Sequence, residues 1–195
     1  MKLLLNRKFT IFITVAIVVI STFFGVHRSL GRLARDIEAT FYNGVYLEDE
    51  GYTQPGVSSH LESSSNAALA FAATMANYPE LSEKAAALQS ARRGLMDAKG
   101  IQEKSTANNN MMNAFTELLQ TSMTVEITQR DLEDAARYWA TFRNAQININ
   151  VSRYNIEAAR FDREVSFIAD MINSVFPVKP PEVFRTTPVP VIDYP

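Results

Sequence analysis

Residues Phe9 to Val26 read FTIFITVAIVVISTFFGV, an unbroken apolar stretch with no ionisable side chain. At ~1.5 Å of rise per residue it extends about 27 Å as a helix, close to the hydrocarbon thickness of a bilayer. Lipid offers no partner to backbone N–H and C=O groups, so such a stretch is helical and either spans the membrane or is removed as a signal peptide. Retention is the better reading: the stretch is longer than a usual signal-peptide core, and its exit, FFGVHR, lacks a small-x-small cleavage pattern. Lys2, Arg7 and Lys8 precede it, while Arg28, Arg32 and Arg35 follow, so the basic flanks nearly balance. The short leading segment and its free amino terminus favour an inside N-terminus and place the bulk of the chain outside the cytoplasm.

Outward from this helix the pattern stays helical. Leu30, Leu33, Ile37, Phe41 and Val45 recur at steps of three and four, which predicts that the spanning helix leaves the bilayer as an amphipathic rod ending near Leu47. The stretch EDEGYTQPG, residues 48–56, then reads as a loop, with Ser58 or Ser59 capping a new helix. Leu61, Ala68, Phe71, Met75 and Tyr78 mark a second buried stripe, continued in a shifted register by Leu81, Ala85, Leu88, Ala91 and Leu95. Pro79 between them kinks or breaks the helix, because it lacks the N–H and collides with the carbonyl four residues back. Gly100 is expected to close this segment.

The tract STANNN, 105–110, reads as either a loop or the weakly helical start of the next element. Met111, Phe115, Leu118 and Leu119 give a third apolar face. Leu132, Ala136 and Trp139 open a fourth segment, and Ile147, Val151, Tyr154, Ala158, Phe161, Val165, Ile168, Ile172 and Phe176 extend it as a heptad-like seam, which predicts one long helix packed on near-parallel neighbours. Ile147 to Asn150 also alternates with period two, but the helical stripe on both sides decides against a strand. From residue 178 onward the prolines at 180, 181, 188, 190 and 195 exclude a helix. This tail either lies back along the bundle through Val183, Phe184 and Val189 or is a disordered end.

The predicted fold is therefore all-α: a basic segment at 1–8, a transmembrane helix at 9–26, an antiparallel bundle of about four long helices at 27–177, and an extended Pro-rich tail at 178–195. The chain has 195 residues, a net charge of -2 and no cysteine. The charge argues against a nucleic-acid partner, since a basic face is needed to neutralise phosphates. Without cysteine there is neither a disulfide nor a thiolate metal site, and stability rests on packing.

Several segments together resemble the LemA family: one membrane span, a helical domain, ALQSARRGLMDA at 87–98, SRYNIEAARFDREV at 152–165 and FPVKPPEVF at 176–184. Residue by residue, Ala91 and Arg92 resemble its Ala-Arg pair, Tyr154 and Asn155 its Tyr-Asn pair, and Phe176, Lys179, Pro180 and Phe184 its closing motif. The resemblance implies a membrane-anchored antiparallel bundle and covers roughly the second half of the chain. The family's Leu-Ile-Pro-Asn-Leu-Val run is reduced here to Pro55, and NYPEL at 77–81 stands earlier than the family's Tyr-Pro-x-Leu motif.

The residues give no catalytic constellation. His27 and His60 lack a partner at i+3 or i+4 that would form a metal face, and Glu62 points to a different side of the helix from His60, so His60 reads as a surface residue. Serines 58, 59, 63, 64 and 65 carry no nucleophile signature, and no glycine-rich phosphate loop is present. In RYWATFR, 137–143, the aromatic residues read as core rather than as a binding face. Tyr154 and Asn155 read as an interhelical hydrogen-bond pair that fixes register. Asn150, Val151 and Ser152 match a glycosylation sequon, but Val151 reads as buried. No catalytic residue, metal or cofactor is expected. The partners expected are the bilayer through residues 9–26 and other membrane or envelope proteins, with oligomers compatible. The functional expectation is a non-enzymatic, membrane-anchored scaffold; the alternative is a sensory or ligand-binding extracytoplasmic four-helix domain.

Overall fold

The computed structural model describes residues 7–49, 51–173, 179–190 and 192. It is an all-α bundle. Helix α1 spans Arg7–Asn43. Strands β1, Val45–Leu47, and β2, Tyr52–Gln54, form a small hairpin. Helices α2, Val57–Met75, α3, Ser82–Asp97, α4, Ile101–Ser122, and α5, Gln129–Asn150, follow, with a 3-10 turn at Pro79–Leu81 between α2 and α3. The last helix, α6, spans Arg153–Asn173.

Helix α1 changes partner along its length. In the apolar stretch no side chain is buried: Phe12 is 70% exposed, Ile20 66% and Phe24 61%. Farther on, Ala34, Ile37 and Phe41 turn into the protein core. The predicted stripe is displaced by one position at Leu33, which is exposed, because Ala34 takes the inward place.

The helix also ends four residues before the predicted Leu47. Val45 continues the helical spacing, but Gly44 adopts φ +73° and its N–H closes on the Thr40 carbonyl at 3.0 Å, a left-handed helix stop. The chain then turns back as a hairpin where a loop was expected, with Val45 opposite Gln54 and Leu47 opposite Tyr52. Nor does either serine cap α2. Gly56 holds the cap position without a side-chain bond, and the Ser58 hydroxyl donates instead to the Tyr42 carbonyl at 3.2 Å. A Cβ on Gly44 would lie 2.1 Å from the Gln54 carbonyl oxygen, in addition to the backbone strain. Gly44→Ala is therefore expected to destabilise the fold by about 1–3 kcal/mol or more, read as a lower urea midpoint. An unchanged midpoint would mean that the turn is not held as described.

Helices α2 to α5 run up-down-up-down. Pro79 starts the 3-10 turn that reverses the chain after Met75, so the predicted break is present. The pairing is antiparallel throughout: Arg92 Nε on α3 donates to the Ser65 carbonyl on α2 at 3.1 Å, and Lys84 on α3 pairs with Glu117 on α4. STANNN is helical, inside α4, and Gly100 caps the start of α4 rather than closing α3. The centre is an aromatic stack from three helices. Phe115 on α4 lies between Phe71 on α2, centroids 4.6 Å apart, and Phe142 on α5, 4.3 Å apart, with Trp139 beside them at 5.8 Å.

One layer away, Asn108 and Gln146 are fully buried and exchange two amide hydrogen bonds of 2.8 and 2.9 Å across α4 and α5. Each satisfies the other's donor and acceptor, and sliding either helix by a turn would leave both unpaired in the core. This pair fixes the register of the bundle.

The single long final helix is corrected to two. Helix α5 stops at Asn150, Val151 leaves the helical conformation at φ -96°, ψ 9°, and α6 begins at Arg153. Ile147 and Val151 of the predicted seam are consequently exposed, and Ile149 takes the buried place. Ser152 starts the new helix, accepting the Asn155 N–H on its hydroxyl at 3.4 Å. Beyond the break the seam holds at Tyr154, Ala158 and Phe161, all buried. The side chains of Ile168 and Ile172, and the whole of Phe176, lie outside the described residues. Helix α6 begins against the end of α1, where Phe41 and Tyr154 meet edge to face at 5.2 Å, and packs along it.

Candidate functional site

Four of the eight motif residues come together where α1, α6 and the C-terminal segment meet. Residues 179–190 carry no helix or strand and lie as a strap across this junction and on to α4. Phe184 inserts beside Phe41, centroids 5.7 Å apart, and is 2% exposed. The Tyr154 hydroxyl donates to the Glu182 carbonyl. Asn155 uses both ends of its amide: its oxygen accepts the Phe184 N–H at 3.0 Å, and its nitrogen donates to the Ile149 carbonyl at 2.9 Å. Asn155 thus fastens the strap and closes the end of α5 at once. The expected bond between helices is made by Asn155, which joins α6 to Ile149 of α5, whereas the Tyr154 hydroxyl is taken up by the strap. Val151 is also exposed rather than buried, while the Asn150 side chain of the sequon accepts the Thr186 hydroxyl.

Farther along, the strap is tied to α4. The Glu182 carboxylate accepts the Gln102 N–H at 2.9 Å in the first turn of α4, where unpaired backbone N–H groups favour an anion. Lys179 pairs with Glu182 at 2.9 Å, and that bond, with the Gln102 amide, holds the Glu182 carboxyl below its ordinary range. The Arg185 carbonyl accepts from the Ser105 hydroxyl at 2.7 Å and from the Asn109 amide at 3.1 Å, and the Thr187 N–H returns to Asn109 at 3.0 Å. These polar residues belong to the STANNN tract. Their spacing on α4 is what an extended backbone requires of its partner: side-chain donors and acceptors in place of a neighbouring strand.

The remaining motif residues sit elsewhere or outside view. Ala91 is half-buried against the core on α3, and Arg92 makes its bond to α2 far from the strap. Pro180 is exposed in the strap, and Phe176 lies outside the described residues.

Burial pushes the Tyr154 phenol well above its ordinary 10.0, with the carboxylates of Glu38 and Glu182 adding to the shift. The consequence for stability has a definite sign. Between the unfolded value near 10.0 and the raised folded value, unfolding releases a proton, so stability is full below about pH 10 and falls above it. Tyr154→Phe is expected to lose about 0.5–1.5 kcal/mol at pH 7 through the missing hydrogen bond, and to flatten the decline above pH 10. Denaturant titrations at pH 7 and 10.5 measure both. A variant with the same alkaline slope as the unaltered protein would show that another group causes it.

The other titratable features are local. Asp131 accepts from Tyr78 and Thr128 at the start of α5 and is lowered by those bonds. His60 is half-buried on α2 rather than on the open surface, and burial lowers it. Among the described residues no three His, Cys, Asp or Glu side chains come together to hold a metal ion. The aromatic cluster of RYWATFR belongs to the core through Trp139 and Phe142, with Tyr138 half-buried under Arg137. An open groove of about 520 Å³ runs between α2 and α5, lined by Ser59, Glu62, Ser63, Asn66 and Arg137. A second, of about 430 Å³, lies between the hairpin and the α5–α6 break. Compared with protein-family models, with curated proteins and with solved structures, the sequence matches none.

Proposed function

We propose that this chain is a membrane-tethered, non-enzymatic interaction protein, a LemA-like scaffold whose bundle stands outside the cytoplasm and binds other envelope proteins. The observation that carries it is the continuity of α1. One helix of 37 residues holds an apolar half in which no side chain is buried, a surface suited to lipid as its solvent, and a second half built into the protein core. Retention fits this continuity, since cleavage would cut within one unbroken helix whose second half carries Ala34, Ile37 and Phe41 into the core. It also transmits position: about 26 Å of rise separates Val26 from Asn43, at ~1.5 Å per residue, so the far end of the bundle stands clear of the headgroups.

The interaction reading rests on what the bundle presents. Its interior is closed by aromatic stacking and by the Asn108–Gln146 pair, while its grooves are open and shallow and suit a protein surface better than an enclosed small molecule. Cross-linking in intact cells, followed by purification of the anchored protein in detergent, tests this reading. One or a few membrane or envelope proteins recovered in stoichiometric amount are expected. Recovery of the chain alone, or of a bound small molecule in place of a protein, would contradict the scaffold and favour the sensory alternative.

A further inference from the structure

The groove between the hairpin and the α5–α6 break combines exposed apolar side chains with an acidic rim. Its walls are β1 on one side and the first turn of α6 on the other, with Val45, Leu47, Val151 and Ile156 as the apolar part. Tyr46 is 61% exposed, Val151 58% and Ile156 52%, a concentration of large apolar groups in water at one spot. The rim at the hairpin tip is acidic. Glu48 and Asp49 are exposed and make no ion pair among the described residues, whereas the one cation lining the groove, Arg153, is neutralised by Glu157 at 2.8 Å.

The backbone adds a third element. Among the described residues the sheet has two strands, and none of those residues pairs with β1 on its outer edge. All three β1 residues line the groove, but only Gln54 of β2 does, which puts the groove on the β1 side of the hairpin. Gln54 is itself occupied, accepting the Arg153 N–H at 3.1 Å, so the hairpin is held at a fixed distance from α6. An unpaired strand edge beside apolar pockets is the arrangement that takes up an extended peptide as an added strand.

We propose that this groove binds an extended segment of a protein partner carrying lysine or arginine in alternation with apolar side chains. The proposal rests on the interaction-protein reading above and names the site and the chemistry of its partner. Charge decides the occupant. In an antiparallel pairing of two β1 edges, Glu48 and Asp49 would face Gly44 and Asn43 of a second copy, so a second copy offers their charges no cation. Lipid is excluded by distance, since the hairpin follows Asn43, about 26 Å of helix beyond Val26, while screening confines headgroup charge to roughly 8 Å at physiological salt. A basic strand meets neither obstacle: its main chain pairs with β1, its apolar side chains enter between Leu47 and Ile156, and its cations face Glu48 and Asp49.

The test uses the full chain in phosphatidylcholine nanodiscs and two fluorescent peptides, Lys-Val-Lys-Val-Lys-Val-Lys and its counterpart with Glu for Lys, followed by anisotropy. The basic peptide is expected to bind saturably, at least tenfold tighter than the acidic one, and severalfold more weakly at 300 mM than at 50 mM salt. E48K/D49K and V151N are each expected to weaken it tenfold or more, while E126K, on the exposed loop before α5, leaves it within twofold. Equal binding of the two peptides, no saturable binding, or full binding to E48K/D49K would overturn the proposal. The scaffold reading fails separately, through the cross-linking result, which does not depend on this groove.

Discussion

Phe115→Ala is expected to lower the unfolding free energy by about 3–5 kcal/mol, the largest loss at any single position of the bundle. The ring is fully buried and stacks on Phe71 and Phe142, with Trp139 adjacent, so truncation removes transfer free energy, leaves a cavity and dissolves three aromatic contacts at once. Three helices meet at this ring, and the void cannot collapse without moving all of them. The measurement is urea unfolding of the detergent-solubilised protein followed by far-ultraviolet circular dichroism. Glu133→Ala, on the exposed face of α5, serves as the reference and should change stability by less than about 0.5 kcal/mol. Similar shifts for the two variants would place the core elsewhere.

Phe184→Ala should cost nearly as much, about 3–5 kcal/mol, although it lies in a segment without secondary structure. Its ring is buried against Phe41, and its own N–H is held by Asn155, so the loss falls on the joint between α1, α6 and the bundle. The pattern differs from that of Phe115. Hydrogen exchange should quicken first in the strap and the first turns of α6, while α2 to α5 keep their protection until global unfolding. A loss below about 1 kcal/mol, with protection unchanged in α6, would show that the strap is dispensable to the fold.

How far the sequence foretold this architecture can be followed residue by residue. The bundle helices were legible because stripes such as Leu61, Ala68, Phe71 and Met75, or Met111, Phe115 and Leu118, repeat at helical spacing, and Pro79 marks its own break. The end of α1 was misplaced because Val45 and Leu47 prolong the apolar spacing past Gly44, whose positive φ a periodicity argument does not register. The signal lay in Asn43-Gly44, a common helix stop. The α5–α6 break was missed for a similar reason. Neither proline nor glycine marks it, and the capping chemistry of Ser152, three residues before Asn155, is hidden in a run that still shows a helical stripe.

The strap site was legible only as a set of motif residues. Tyr154, Asn155, Lys179 and Phe184 stood out through the family resemblance, but Ser105, Asn109 and Glu182, which complete the site, did not. Ser105 reaches Arg185 across 80 positions of sequence, and nothing local in STANNN announces that its polar side chains serve a distant backbone. The hairpin groove is likewise invisible along the chain, since Tyr46 and Ile156 become neighbours only when α6 docks on the end of α1.

Protease added to intact spheroplasts tests the central claim, a retained anchor with its bundle facing outward, most directly. The bundle should be digested from the outside, and a fragment containing residues 9–26 should stay in the membrane fraction. Protection of the bundle until the membrane is permeabilised would place it in the cytosol, and a soluble product beginning after Gly25 would remove the anchor; either result contradicts the account.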